Sequence, residues 1–112
     1  MTTAEMSKTQ FYCEALIEQL NTSWKVDAVE SGHSSYHSLE MEEGKKYYKI
    51  WEHLVSPSAS GRSCWMFVEK ETGFCYKPAS YRGPAKGVRY GIHQLVNYPE
   101  TCDPYGSFLY MK

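Results

Sequence analysis

The chain has 112 residues, 42% hydrophobic and 22% charged, with a formal net charge of −1, a balance that excludes whole-chain disorder and gives no overall charge to attract nucleic acid or a membrane. That length holds one core rather than two, so residues 1–112 are expected to form a single domain burying roughly two-thirds of its unfolded surface. No apolar run approaches the roughly 20 residues of a membrane span, and the first residues are polar where a signal peptide would need its apolar stretch, so a cytoplasmic location is expected.

Ser7 and Gln10 have capping-box spacing, and Met6, Cys13, Leu16, Ile17 and Leu20 follow at helical period with Glu14 and Glu18 opposite. The pattern predicts an amphipathic helix of about four turns, with residues 1–6 frayed and Asn21, Thr22 and Ser23 ending it. Trp24, Val26 and Ala28 then alternate with Lys25 and Asp27 as in a half-buried strand, stopped by the Ser/Gly/His segment Ser31–Ser35. Alternation over Tyr36–Met41 and Lys46–Val55 predicts a hairpin around Glu42, Glu43, Gly44 and Lys45, with positive φ at the glycine. On its second strand Tyr48, Ile50 and Leu54 share one face, and Tyr47, Lys49, Trp51 and His53 share the other. Ser56–Gly61 has turn formers and no apolar side chain larger than Ala, and reads as a mobile surface loop.

A second hairpin turns at Lys70, Glu71, Thr72 and Gly73. Its expected register sets Glu69 against Phe74, Phe67 against Tyr76 and Trp65 against Pro78. Trp65, Phe67, Phe74 and Tyr76 would then form one aromatic face, with Cys64, Met66, Val68, Cys75 and Lys77 on the other. Both faces are largely apolar, which suits a central hairpin. From Pro78 to Tyr90, two prolines and two glycines exclude a long helix or an inner strand, although Pro84 suits the start of a single helical turn. Ile92–Val96 reads as a short last strand and residues 97–112 as an irregular segment that docks. The expected class is α+β, one N-terminal amphipathic helix packed on an antiparallel sheet of four to five strands.

Ten Tyr, four Phe and three Trp point to sheet and to some exposed aromatic area. With one helix to cover one face, the other face calls for the tail or a second chain, and a homodimer is the economical cover. Charge is uneven along the chain: residues 1–60 carry −4, residues 61–92 carry +4, and the last twenty carry −1. The candidate ligand site is therefore the Gly/Pro-rich segment with Lys77, Arg82, Lys86 and Arg89 set among Tyr81 and Tyr90. Glycines admit a close anion, Lys and Arg supply charge and forked donors to phosphate, and tyrosines stack on bases. No Walker or dinucleotide fingerprint is present, and the plainer alternative is a solvated basic loop whose Arg89 pairs with an acid of the first half.

For catalysis, His33, His37, His53 and His93 are scattered and no GxSxG accompanies them. His37 beside His53, or His53 as base to Cys64, would be an enzyme's pair, and Glu40, Glu42, Glu43 and Glu52 an oxygen-rich cation cluster. Cys13, Cys64, Cys75 and Cys102 lack CxxC or zinc-finger spacing, so neither a metal nor another cofactor is expected and the thiols read as small buried hydrophobes.

The run FVEKETGFCYKPASYRGPAKGVR resembles small uncharacterised proteins of tailed bacteriophages, many of them marine. Thr72, Gly73, Tyr76, Lys77, Ala79, Ser80, Pro84, Ala85, Lys86 and Arg89 match that pattern, while Glu69 stands in place of Asp and Tyr81 in place of Trp. The resemblance covers about a quarter of the chain. It implies a phage-encoded protein of the host cytoplasm with no assigned activity, of a kind that binds host proteins or nucleotides. Three readings follow in order: a non-enzymatic binder of a nucleotide, nucleic acid or other anion; a structural or protein-binding homo-oligomer; and a small His/Cys enzyme.

Overall fold

A computed structural model describes residues 3–57 and 61–110 of the chain. Helix α1, Thr3–Glu30, runs straight through the segment expected to hold a helix, a stop and a strand. It contains no Gly or Pro, and at about 1.5 Å per residue it is as long as the molecule, whose longest dimension is 45 Å. Thr9, Cys13, Leu16 and Leu20 are buried along one stripe, and Trp24 and Ala28, each four residues on, extend that stripe. The same two positions fit a strand's alternation, which is why the local pattern misleads there. Because the helix already begins at Thr3, Ser7 is not its cap; of the residues expected to fray, 1 and 2 lie outside the described residues. It ends in a Schellman motif, with Gly32 at φ 76°, its N–H donating to the Val29 carbonyl at 3.1 Å and the His33 N–H to Ala28 at 2.8 Å.

Strands β1 (Tyr36–Glu43), β2 (Tyr47–Val55), β3 (Ser63–Glu69), β4 (Phe74–Tyr76) and β7 (Tyr90–Gly91) form one antiparallel sheet in that spatial order. α1 packs on one face, where Leu39, Tyr48, Ile50, Met66, Val68 and Cys75 meet Cys13, Leu16 and Leu20. The chain is thus α+β, a helix on a five-stranded antiparallel sheet, completed by a short helix and 3-10 turns. The β3–β4 register is the one the sequence predicts, Phe67 opposite Tyr76 and Val68 opposite Cys75. In the first hairpin, Gly44 does not have the positive φ expected of it. Glycine is suited there by crowding, since a Cβ would stand 3.0 Å from the Tyr47 carbonyl oxygen.

A β-bulge reverses the faces at the start of β3. Ile50 pairs with Met66 but Trp51 pairs with Cys64, leaving Trp65 as the extra residue. Trp65 consequently leaves the aromatic face expected for it and joins the helix side, 6.4 Å from Trp24 and 5.2 Å from Phe108 between ring centroids. Its indole N–H donates to the Asp103 carbonyl at 2.9 Å. Cys64 moves the opposite way, to lie beside Trp51 on the outer face.

Ile92–Val96 is not a strand. It belongs to helix α2, Ile92–Asn97, which buries Ile92 and Leu95 one turn apart, and the Gln94 side chain accepts from the Gly91 N–H at 2.7 Å. The edge strand ends just before it, at Gly91. Single 3-10 turns at Pro99–Thr101 and Ser107–Leu109 follow, with Cys102, Phe108 and Leu109 buried. The middle of the expected mobile loop, residues 58–60, lies outside the described residues.

Candidate binding site on the outer sheet face

Alternation along β2 sends Tyr47, Lys49 and Trp51 to the face away from α1, opposite Glu69, Phe67 and Cys64 of β3. The Gly/Pro-rich segment folds back against β3 as a small ribbon, β5 (Pro78–Ser80) with β6 (Gly83–Pro84). Pro84 sits in this ribbon, not at a helical start. The Ala85 N–H closes its base on the Lys77 carbonyl at 2.8 Å. At its tip the Ser80 hydroxyl accepts from the Arg82 N–H at 3.1 Å, a local serine turn. This places Tyr81 over Lys49, whose ammonium lies 5.1 Å from the Trp51 ring, 5.5 Å from Phe67 and 5.8 Å from Tyr81. The Arg62 guanidinium stacks on Trp51 at 4.0 Å, and Tyr47 meets Phe67 and Tyr76 edge-on at 5.8 and 6.1 Å.

The charges on this face divide into two groups. Its glutamates are engaged: Glu40 accepts from Arg62 at 3.0 Å, Glu42 accepts from the Trp51 indole N–H at 3.0 Å, and Glu69 accepts from Thr72 at 2.7 Å. Among the described residues, Lys49, Lys77 and Arg82 are not within ion-pair distance of any carboxylate. Each lies instead on an aromatic ring, Lys77 on Tyr110 at 4.7 Å and Arg82 on Tyr81 at 5.4 Å. A ring attracts a cation without neutralising it, so these charges stay available to an anion. A cavity of about 460 Å³ opens beside the ribbon, between Trp51, Arg62, Cys64, Ser80, Tyr81 and Tyr110. A second, of about 310 Å³, is reached past the tip and holds Lys46, Tyr47, Lys49, Phe67 and Arg82.

Of the residues singled out from sequence, Lys77, Tyr81 and Arg82 meet at or beside these cavities. The others lie elsewhere. Tyr90 packs its ring 5.7 Å from Phe108 and its hydroxyl donates to the Phe108 carbonyl at 3.4 Å. Arg89 is half-buried, its N–H bonded to the Cys75 carbonyl at 2.8 Å, and Lys86 is exposed beside Gly87. Arg62, Trp51, Lys49 and Tyr110 complete the site. The alternation Tyr47–Lys49–Trp51 was the signal for two of them, whereas Arg62 and Tyr110 carry no local mark.

Of the pairs considered for catalysis, the two histidines do not meet. Pairing of His37 with Leu54 and of Ser38 with His53 puts the two histidines on opposite faces, and His37 instead binds Glu52 at 2.5 Å. Glu40 and Glu42 lie on the outer face, Glu43 and Glu52 on the helix side, so the carboxylates form no cluster. Cys64 and His53 share the outer face as diagonal neighbours, a relation that leaves about 7–8 Å between backbones, but burial pushes the Cys64 thiol up to about 11 against the opposing pull of Lys49, so it is protonated at neutral pH. No group of three His, Cys, Asp or Glu among the described residues is placed to hold a metal ion.

Fold and site together define a small α+β protein with one sheet face packed by a long helix and the other carrying an aromatic, cationic trough. None of its described helices is long and apolar enough to cross a membrane. The chain belongs to a family of unknown function, DUF7717, whose model matches residues 1–111. No curated protein and no solved structure matches it.

Proposed function

We propose that this chain is a non-enzymatic binding protein that holds a nucleotide-type anion in the cavity between Arg62, Tyr81 and Tyr110. One observation carries the reading: Lys49, Lys77 and Arg82 rest on rings and, among the described residues, on no carboxylate. A ligand joining a flat ring to a phosphate answers both halves of that arrangement, stacking on Tyr81 or Tyr110, which are 56% and 58% exposed, while its charge meets Arg62 and Lys77. The resemblance of the Thr72–Arg89 run to phage proteins supports a phage-encoded accessory role in the host cytoplasm. At about ten times its Kd, a bound nucleoside monophosphate stabilises the fold by about 1.4 kcal/mol and raises Tm by about 5 °C. Arg62→Ala and Tyr81→Ala are expected to abolish that shift. The reading fails if no nucleotide raises Tm.

A further inference from the structure

Resting on that reading, we propose that the ligand is a single-stranded nucleic acid lying along β2 and β3, in one trough that the Tyr81–Arg82 tip divides into two compartments. The cavities of about 460 and 310 Å³ lie on either side of that tip, Tyr81 lining the first and Arg82 the second. Their floor is continuous, because Tyr47, Lys49 and Trp51 follow one another on the same face of one strand. From Tyr47 to Trp51 this floor runs about 13 Å, at about 3.3 Å per residue, longer than one base with its phosphate occupies. Rings and cations alternate along it, the pattern that tracks a phosphate backbone while offering faces to unstacked bases.

Charge complementarity favours this occupant. The second compartment brings Lys45, Lys46, Lys49 and Arg82 together with Glu42 and Glu43. Glu43 is paired with the Lys70 ammonium at 2.7 Å and Lys46 with Glu69 at 3.7 Å, so Lys45, Lys49 and Arg82 stand against Glu42 and leave an excess of positive charge facing the trough. A duplex hides its base faces and cannot use the rings; a single strand can.

The experiment titrates the full chain with thymidine monophosphate, with oligothymidylates of increasing length and with a duplex, at two salt concentrations. Affinity is expected to rise about tenfold or more from the mononucleotide to the oligomers, each additional stacked base strengthening binding until the trough is filled. The duplex should bind no better than the mononucleotide. Lys45→Ala combined with Lys46→Ala should cut the gain with length and lower the oligomer's salt slope by about 0.7 for each phosphate no longer neutralised. Both side chains are exposed, and an unaltered melting curve would verify that the double variant is folded. Mononucleotide binding with no gain from length, or a duplex that equals the single strand, overturns the strand proposal and leaves the nucleotide reading standing. Absence of binding by every nucleotide probe overturns both.

Discussion

Gly44 and Gly73 both close hairpins, but they are held to glycine by different forces. Gly73 has φ 75°, and a Cβ there would stand 3.1 Å from the Ile92 side chain. Its N–H donates to the Glu69 carbonyl at 2.8 Å and its carbonyl accepts from the Ile92 N–H at 2.7 Å, tying the turn to the start of α2. Gly73→Ala should therefore cost about 1–3 kcal/mol in urea unfolding, the usual penalty for a left-handed non-glycine residue. Gly44→Ala should cost less, since its backbone is not left-handed and only the Tyr47 carbonyl must give way. The positive φ at Gly73 was legible because the turn is local. The ordinary φ at Gly44 was not, because crowding by a carbonyl three residues on depends on the path the loop takes. Lys70 makes the same point: in the sequence it is a turn lysine, yet it is 5% exposed, over the Tyr48 ring at 5.1 Å and paired with Glu43 of another hairpin.

At the scale of elements, α1 owes its length to what it meets. Asn21, expected to stop the helix, turns its amide outward to the edge strand: its NH₂ donates to the Leu39 carbonyl at 3.0 Å and its oxygen accepts from the Leu39 N–H at 2.7 Å. One side chain thereby satisfies both free backbone groups of a β1 residue and blocks further pairing there. Asn21→Ala leaves those two groups without protein partners and should cost about 1–3 kcal/mol, measured as a lower urea midpoint. An unchanged midpoint would mean that water replaces the amide fully. The β3 bulge is the second element-level decision. Strict alternation put Trp65 with Phe67, but the helix side holds Trp24, Phe108 and the Asp103 carbonyl, all remote in sequence, and one extra residue turns the indole toward them.

Across the molecule, three of the four thiols serve as core, and Cys64, expected to be buried with them, is instead half-buried on the outer face. Cys13, Cys75 and Cys102 are buried, and burial pushes Cys13 and Cys102 from 9.0 to about 12, with Cys75 well above its usual value. Below about pH 8 these thiols are neutral in both the folded and unfolded chain and add little pH dependence. Above it the unfolded chain loses protons that the folded chain retains, so stability should fall progressively from about pH 8 towards 12. Urea midpoints measured from neutral to alkaline pH would reveal the decline, and a flat profile in that window would contradict the burial.

What the sequence alone determined is what short-range physics controls. Alternation and a left-handed glycine set the Phe67–Tyr76 register, and the apolar stripe of α1 facing a sheet set the α+β class. The location of positive charge in the second half was equally plain from composition. Tertiary structure alone decided whether Trp24 continued a helix or began a strand, because both periods fit it and only its contact with Trp65 separates them. It also decided which basic residues share a face. Lys77, Tyr81 and Arg82 come to the trough while Tyr90 turns into the core, since the ribbon's fold across β3 depends on partners that lie far from it along the chain.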